Sequence, residues 1–155
     1  MNNSPKLYKS SIQNVKFGRN VTLIEPVNIY ECEIGNNTFV GPFVEIQKDV
    51  IIGRNCKIQS HSFICELVEI KDNTFVSHGV VFINDKFTNG SPARGDKTLW
   101  KNTIVGKNVS IGSNATILPV TICDDVVIGA GSVVTKNIVE PGFYVGNPAK
   151  KLKDI

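Results

Sequence analysis

The sequence predicts an all-β protein, a parallel β-helix of six-residue repeats with one long inserted loop. Nine aliphatic or aromatic residues stand six positions apart without exception: Ile34, Val40, Ile46, Ile52, Ile58, Ile64, Ile70, Val76 and Phe82. On an α-helix, six residues turn through about 600°, so these side chains would scatter around its surface instead of forming one stripe. A short strand with a tight corner takes six residues, and three such units make one coil of about 18 residues.

The same period continues on both sides of this run. An upstream series, Val15, Val21 and Val27, slips by one residue before Ile34. A downstream series slips once between Ile117 and Ile122; its members are Val105, Ile111, Ile117, Ile122, Ile128 and Val134. Both slips should fall in corners, because a shift inside a strand would expose its buried face.

Many repeats carry a glycine directly after the inward residue. These glycines are Gly35, Gly41, Gly53, Gly106, Gly112 and Gly129. We expect them to lie at crowded corners with unusual backbone angles.

The period disappears in one stretch, which we predict to be an insertion loop at about residues 83–103. A long non-repeating insertion in a compact fold is commonly a lid or a binding loop. The alternative is a surface loop held by aromatic contacts. Residues 1–155 should otherwise form a single domain with a short C-terminal tail from about residue 141.

Composition excludes several classes of protein. The hydrophobic content of 41% and charged content of 20% are typical of a globular domain. A net charge of +3 gives no support for a nucleic-acid partner. No apolar run is long enough to span a membrane and residues 1–10 lack the apolar core of a secretory signal, so we predict a cytoplasmic protein. The four cysteines are scattered, which favours buried reduced thiols.

Residues 15–153 resemble the hexapeptide-repeat acyltransferases. The resemblance is carried by tandem (L/I/V)-G-x-x-(S/T/A/V)-x units and by "VIGAGSVVTKNIVEPGFYVGNPAKKLK" near the end. It implies a left-handed parallel β-helix, although right-handed crossovers are the general rule. It also implies a homotrimer whose active sites lie between subunits.

The stretch "FVSHGVVFINDKF" resembles a narrower group, the N-acetyltransferases that act on nucleotide-linked amino sugars. Those acting on 3-amino-3-deoxy sugars of O-antigen or S-layer glycans are the nearest match. Such enzymes carry a Gly-His-Gly-like triplet and an Asn-Asp-(Lys/Arg)-(Tyr/Phe)-Pro motif, whereas this chain has Ser77 in place of the first glycine and Thr88 in place of the proline. The resemblance implies acetyl-CoA as the donor, bound near the C-terminal coils.

His78 is the first candidate for the catalytic residue, because imidazole titrates near neutral pH and can accept or relay a proton from the attacking amine. The alternative is that His78 only positions the substrate. The repeat places it on a strand just before the insertion, with Ser60 one coil below. The resemblance makes Asn84 a second catalytic candidate, and Asp85 and Lys86 candidate ligands of the sugar.

The other candidates concern substrate, cofactor and metal. His61 should point away from His78, and it and Glu66 are substrate-binding candidates. The cofactor-binding candidates are Ala115, Ala130, Gly131, Pro148, Lys150 and Lys151; lysine is a suitable point charge for phosphates, and small residues permit close backbone contact. A β-helical zinc site wants three histidines and this chain has two, so no metal is expected.

Three functions remain open from the sequence. The first is transfer of an acetyl group to the amine of a nucleotide-linked amino sugar. The second is O-acetylation of a sugar or small metabolite, which requires His78 more strictly because a hydroxyl is a far weaker acid than an ammonium group. The third is a noncatalytic β-helical assembly subunit.

Overall fold

A computed structural model describes residues 11–155 of the chain; the first ten residues of the predicted domain lie outside this range. The strands in chain order are β1 (Ile12–Gln13), β2 (Lys16–Phe17), β3 (Thr22–Leu23), β4 (Asn28–Tyr30), β5 (Glu33–Ile34), β6 (Phe39–Val40), β7 (Glu45–Ile46), β8 (Ile51–Ile52), β9 (Lys57–Ile58), β10 (Phe63–Ile64), β11 (Val68–Ile70), β12 (Phe75–Val76), β13 (Val81–Phe82), β14 (Thr103–Val105), β15 (Ser110–Ile111), β16 (Thr116–Ile117), β17 (Thr121–Ile122), β18 (Val126–Ile128), β19 (Val133–Val134), β20 (Gly142–Val145) and β21 (Lys150–Lys153). A 3-10 turn covers Lys97–Leu99.

These strands stack into three sheets that form the sides of a prism. Sheet A has seven strands (β1, β4, β7, β10, β13, β16, β19), sheet B has six (β2, β5, β8, β11, β14, β17), and sheet C has eight (β3, β6, β9, β12, β15, β18, β20, β21). Successive coils pair in parallel; β21 runs antiparallel to β20. The predicted β-helix is confirmed. Its stacked parallel coils are consistent with the left-handed β-helix of hexapeptide-repeat proteins.

The nine-residue ladder forms the core, as predicted. Each of its members is at most 2% exposed. Between Ile34 and Phe82 the coils repeat every 18 residues, as in the pairing of Phe63 with Glu45 and of Val76 with Ile58. Each fully buried isoleucine contributes about 1.5–3 kcal/mol of hydrophobic stabilisation, so the ladder outweighs the weak propensity of two-residue strands.

The upstream valines pack against the core, as a periodic apolar series should, but they are not in phase with the Ile34 ladder. Phe17 pairs with Ile34, Leu23 with Val40 and Ile29 with Ile46, so these three are the rungs. The valines of the predicted series each precede a rung by two positions. The reason is that every repeat turns two residues inward, the first and the fifth, and a six-residue period does not distinguish them. Both one-residue slips nevertheless fall between strands, after β4 and after β16, as expected.

The repeat glycines lie at crowded corners, but their backbone angles are ordinary. A Cβ on Gly35 would lie 2.6 Å from the carbonyl of Gly53, and one on Gly53 would lie 2.6 Å from Asp72 Oδ1. The positive φ angles occur two residues later, at Asn37 (59°) and Asn55 (56°). Close approach of the next coil, and not left-handed geometry, therefore requires glycine at these positions.

Three vertical edges join the sheets, and each has its own side chains. The asparagine edge, between sheets B and C, carries a hydrogen-bonded ladder of amides that ends on a carboxylate: Asn20, Asn37, Asn55, Asn73, Asn108 and Asp125. The histidine edge, between sheets C and A, stacks the corner pairs Pro42–Phe43, Ser60–His61, His78–Gly79, Ser113–Asn114 and Ala130–Gly131. The loop edge, between sheets A and B, releases the insertion.

The insertion covers residues 83–102, between β13 and β14. The segment after residue 141, predicted as a tail, instead adds β20 and β21 to the top of sheet C. No helix within residues 11–155 is long and apolar enough to cross a membrane.

Candidate active site

His78 lies in a corner turn of the histidine edge, not on a strand as the sequence suggested. Its ring is exposed, and its Nδ1 lies 2.9 Å from Ser60 Oγ in the coil below. The 18-residue spacing had placed Ser60 beneath His78, and this is confirmed. When the Nδ1–H group donates to Ser60, Nε2 is left unprotonated and able to accept a proton. Ser60 therefore can fix both the orientation and the tautomer of the ring.

A second pair of hydroxyls stiffens the same corner. Ser77 Oγ lies 2.7 Å from Ser113 Oγ, and Ser62 Oγ donates to the Ser77 carbonyl at 2.9 Å. Asn114 N donates to the His78 carbonyl at 2.9 Å. The residue that departs from the family triplet, Ser77, thus joins the His78 turn to the coil above.

His61 takes a different direction, as expected. Its ring stacks on Phe43 with centroids 4.9 Å apart and an interplanar angle of 12°. Within residues 11–155 no hydrogen bond or ring stacking joins His61 to His78.

The loop edge gathers Asn84, Asp85 and Glu66, one side of the prism away from His78. Since His78 precedes β13 and Asn84 follows it, at most about 20 Å of chain separates them. Asn84 Nδ2 donates to the Glu66 carbonyl at 3.3 Å. The Glu66 carboxylate, whose side chain is only 14% exposed, forms an ion pair with Lys97 from the inserted loop at 2.5 Å. Sequence reasoning missed Lys97, because the partner of a charge inside an aperiodic loop cannot be read from spacing.

Asp85 organises the loop itself. Its two carboxylate oxygens accept hydrogen bonds from Phe87 N at 2.8 Å and Ala93 N at 2.7 Å. Lys86 is exposed beside it. The Asp85 carboxylate, predicted to contact the sugar, therefore already accepts two hydrogen bonds that shape the loop, whereas the exposed Lys86 side chain has no such role within residues 11–155.

The predicted cofactor residues divide into two groups. Ala130 and Gly131 are exposed in the histidine edge two coils above His78, about 10 Å along the axis. The segment holding Pro148 lies close by, since Val133 N donates to the Gly146 carbonyl and Ala149 N donates to the Val133 carbonyl. Ala115, by contrast, is fully buried, and its carbonyl accepts the amide of Val81, so it serves the core.

The two lysines at the C-terminal strand also differ. Lys151 Nζ forms ion pairs with Glu140 at 3.2 Å and Asp154 at 2.8 Å. Lys150 is exposed and has no such partner within residues 11–155. Lys150 is thus the better placed of the two to meet a phosphate.

The buried cysteines offer no nucleophile. Burial raises the pKa of the Cys65 thiol, next to Glu66, to about 12, and that of Cys32 to about 11. Thiols with such pKa values are protonated at neutral pH, so neither cysteine is poised as a thiolate nucleophile.

Comparison with known families agrees with this geometry. Residues 31–66 match the model described as bacterial transferase hexapeptide (six repeats), and residues 102–136 match that of the hexapeptide repeat of succinyl-transferase. Two segments of the chain thus carry the hexapeptide repeats of these transferase families. The two matched segments flank the predicted insertion.

Curated relatives match most of this chain but only part of their own length. The bifunctional protein GlmU of Clostridium botulinum is 35% identical over 154 residues, which cover 90% of this chain and 32% of that protein. The chain thus spans about a third of the length of the curated relatives that it matches.

Two solved structures share the fold over 90% of this chain. A single-residue mutant of AntD, an N-acyltransferase from Bacillus cereus in complex with dTDP and coenzyme A, is 27% identical with a TM-score of 0.61 and 83% of its own chain covered. A maltose O-acetyltransferase from Clostridium difficile is 26% identical with a TM-score of 0.58 and 69% covered. In another crystal, AntD holds dTDP-4-amino-4,6-dideoxyglucose together with coenzyme A.

Proposed function

We propose that this chain transfers an acetyl group from acetyl-CoA to the amino group of a nucleotide-linked amino sugar. The single observation that carries the proposal is the His78–Ser60 pair, an exposed imidazole whose Nδ1 lies 2.9 Å from Ser60 Oγ. The likeness to AntD adds support, since that enzyme is an N-acyltransferase seen with dTDP and coenzyme A. By resemblance we assign the pathway to surface glycan biosynthesis in the cytoplasm.

In the proposed reaction the neutral amine attacks the thioester carbonyl. The new N–C bond forms as the C–S bond breaks, and His78 Nε2 accepts the proton from nitrogen. His78 then passes this proton to the departing sulfur, so coenzyme A leaves as its thiol. Ser60 holds the ring so that Nε2 faces the amine throughout. An amine needs less help than a hydroxyl in losing its proton, so His78 contributes less here than it would in O-acetylation.

The site requires a second subunit. His78 and Asn84 lie at different edges of one prism, and a homotrimer that packs the histidine edge of one copy against the loop edge of the next would bring them together. Asn84 and Lys86 would then hold the sugar, and acetyl-CoA would run up the histidine edge past Ala130 and Gly131 towards Pro148 and Lys150. Outward aromatic residues favour such packing: Phe39 and Phe75 align on sheet C with Lys57 between them.

An acceptor panel tests the proposal. The purified protein is incubated with acetyl-CoA and with UDP- and dTDP-linked sugars that carry the amine at C3 or C4, and free thiol is followed. We expect turnover with at least one amine. Turnover on hydroxyl acceptors alone would refute the amine specificity and favour O-acetylation. The likeness to the maltose O-acetyltransferase supports this second candidate function. Absence of acetyl-CoA binding in a calorimetric titration would favour the assembly subunit.

A further inference from the structure

The histidine edge carries an exposed pair of stacked aromatic rings below His78. Phe43 lies two coils below His78 and is 57% exposed, and His61 lies between them with its ring parallel to that of Phe43. Coils are spaced by about 4.8 Å, so the Phe43 ring is roughly 10 Å from the His78 corner along the prism axis. None of the site assignments above gives Phe43 a role.

The backbone at both aromatic residues is unfavourable for the side chains they carry. Phe43 has φ 59° and His61 has φ 63°. In the coils above, the same corner position is taken by Gly79, Asn114 and Gly131, and nine of the fifteen non-glycine residues with positive φ in the described chain are Asn or Asp. Asparagine or glycine would suit the corner better, because bulky residues are strained there. Strain of this kind clusters at ligand sites.

A groove opens beside the lower ring. Its volume is about 370 Å³, and it is lined by Pro26, Val27, Asn28, Phe43, Val44 and Glu45. Asn28 can donate and accept hydrogen bonds, and Glu45 can accept them. A planar ring that stacks on Phe43 can therefore also meet polar groups at its rim.

We propose that Phe43 and His61 form the stacking platform for the nucleobase of the substrate, an inference that rests on the proposed function. A nucleobase is the planar part of a nucleotide-linked sugar, and its π-face stacks on aromatic side chains whatever its identity. The ribose and diphosphate that separate the base from the sugar can cover the distance of about 10 Å between this platform and His78. The proposal thus extends the site down the histidine edge, while acetyl-CoA is assigned to the coils above.

Asparagine substitutions test the platform without disturbing the backbone. Phe43→Asn and His61→Asn remove one ring each but keep a residue that this chain uses at the same corner geometry, as at Asn114. We expect the Kd for dTDP or UDP, measured by calorimetry, to rise about tenfold in each variant while the melting temperature holds or rises. The matched control is Ile51→Asn, which removes an exposed apolar side chain from the outward face of sheet B and should leave the nucleotide affinity unchanged.

Turnover gives a second readout. The acceptor is compared with the same amino sugar as its 1-phosphate, which lacks the base. The wild type should prefer the nucleotide-linked acceptor, and Phe43→Asn should lose about tenfold in kcat/KM on that acceptor alone, with the KM for acetyl-CoA unchanged.

Two results would overturn the platform. One is an unchanged nucleotide Kd in both asparagine variants, which leaves acetyl transfer itself standing. The other is a loss of oligomeric mass in light scattering caused by Phe43→Asn, which would make the stacked rings a contact between copies of this chain. Failure of the acceptor panel would instead remove the proposed function, while the calorimetric comparison would still report on the rings.

Discussion

The asparagine edge and the histidine edge share one corner geometry but differ in what their side chains do. On the asparagine edge five successive coils carry asparagine and the sixth carries Asp125, and each side-chain amide donates to the residue above at distances from 2.9 to 3.2 Å. On the histidine edge the equivalent position changes from coil to coil: it is taken by Phe43, His61, Gly79, Asn114 and Gly131. His78 occupies the corner position just before Gly79 and is exposed, as are His61 and Gly131. Repetition marks the edge that holds the coils together, and variation marks the edge that we propose as the site of chemistry.

The loop edge extends this comparison, because it too departs from repetition. Val68 and Thr103 are register partners 35 residues apart, whereas the coil below pairs Glu69 with Ile51 at a spacing of 18. Removing residues 86–102 and joining Asp85 to Thr103 deletes the 17 extra residues and leaves an ordinary corner.

This deletion should have the largest effect on activity. We expect kcat/KM to fall by about 100-fold or more, since loss of substrate positioning alone can have that effect. The melting temperature should stay close to that of the wild type, because the loop contributes only Ala93 to the buried apolar residues. Circular dichroism and steady-state kinetics check both. A deletion variant that keeps full activity would show that the loop is a surface insertion with no role in the reaction.

Gly35→Ala should have the largest effect on stability. Its new Cβ would lie within 3 Å of three backbone atoms of the coil above, at Gly53 and Arg54. Backbone atoms cannot move away without distorting the coil, so we expect the free energy of unfolding to fall by about 3 kcal/mol. Gly131→Ala, where no atom lies within 4 Å of the new Cβ, is the control and should lose only about 1 kcal/mol through its φ of 67°. Denaturant titration distinguishes the two, and equal losses would contradict the crowding explanation.

The asparagine ladder should contribute through both its backbone and its hydrogen bonds. Asn55→Ala loses the bonds to Asn37 and Asn73 and places alanine at φ 56°, for an expected loss of about 2 kcal/mol. Asn55→Gly keeps the backbone preference and should lose about 1 kcal/mol. Acetyl transfer at 25 °C should be unchanged in both. If the two variants melt at the same temperature, the left-handed backbone contributes nothing here.

Ser60→Ala should have the smallest effect. Loss of its bond to His78 leaves the imidazole in place but free to rotate, so we expect kcat to fall about 2- to 10-fold. The KM for acetyl-CoA and the melting temperature should not move, and Ser60→Thr should restore part of kcat. A change in stability without a change in kcat would make Ser60 a purely structural residue.

Much of the fold was readable from the sequence because its physical cause is periodic. The six-residue ladder predicted the core, and the 18-residue spacing predicted that Ser60 meets His78. The same spacing also relates Asn37, Asn55 and Asn73, and it relates Phe43 to His61, so both stacks could have been found by following it further. The phase of the ladder near Val27 was not readable, because two positions in each repeat face inward.

The contacts of the inserted loop could not be predicted from residue spacing. Its contacts depend on how an aperiodic chain folds back, which no spacing encodes. Asp85 shows this. The motif suggested that it binds the sugar, whereas in the structure its two carboxylate oxygens accept hydrogen bonds from the backbone amides of Phe87 and Ala93. Glu66 was identified by position, but its ion pair with Lys97 required the folded loop.

The division between a structural and a catalytic edge is tested most directly by one side-by-side measurement. The rate of acetyl transfer from acetyl-CoA to a nucleotide-linked amino sugar is determined at 25 °C for the wild type, His78→Ala and Asn55→Gly, with a melting temperature for each preparation. We predict that His78→Ala loses about 100-fold in rate, the lower end of the range for a general base, and melts like the wild type. Asn55→Gly should melt earlier and react at the wild-type rate. A His78→Ala protein that transfers acetyl at the wild-type rate would contradict the account.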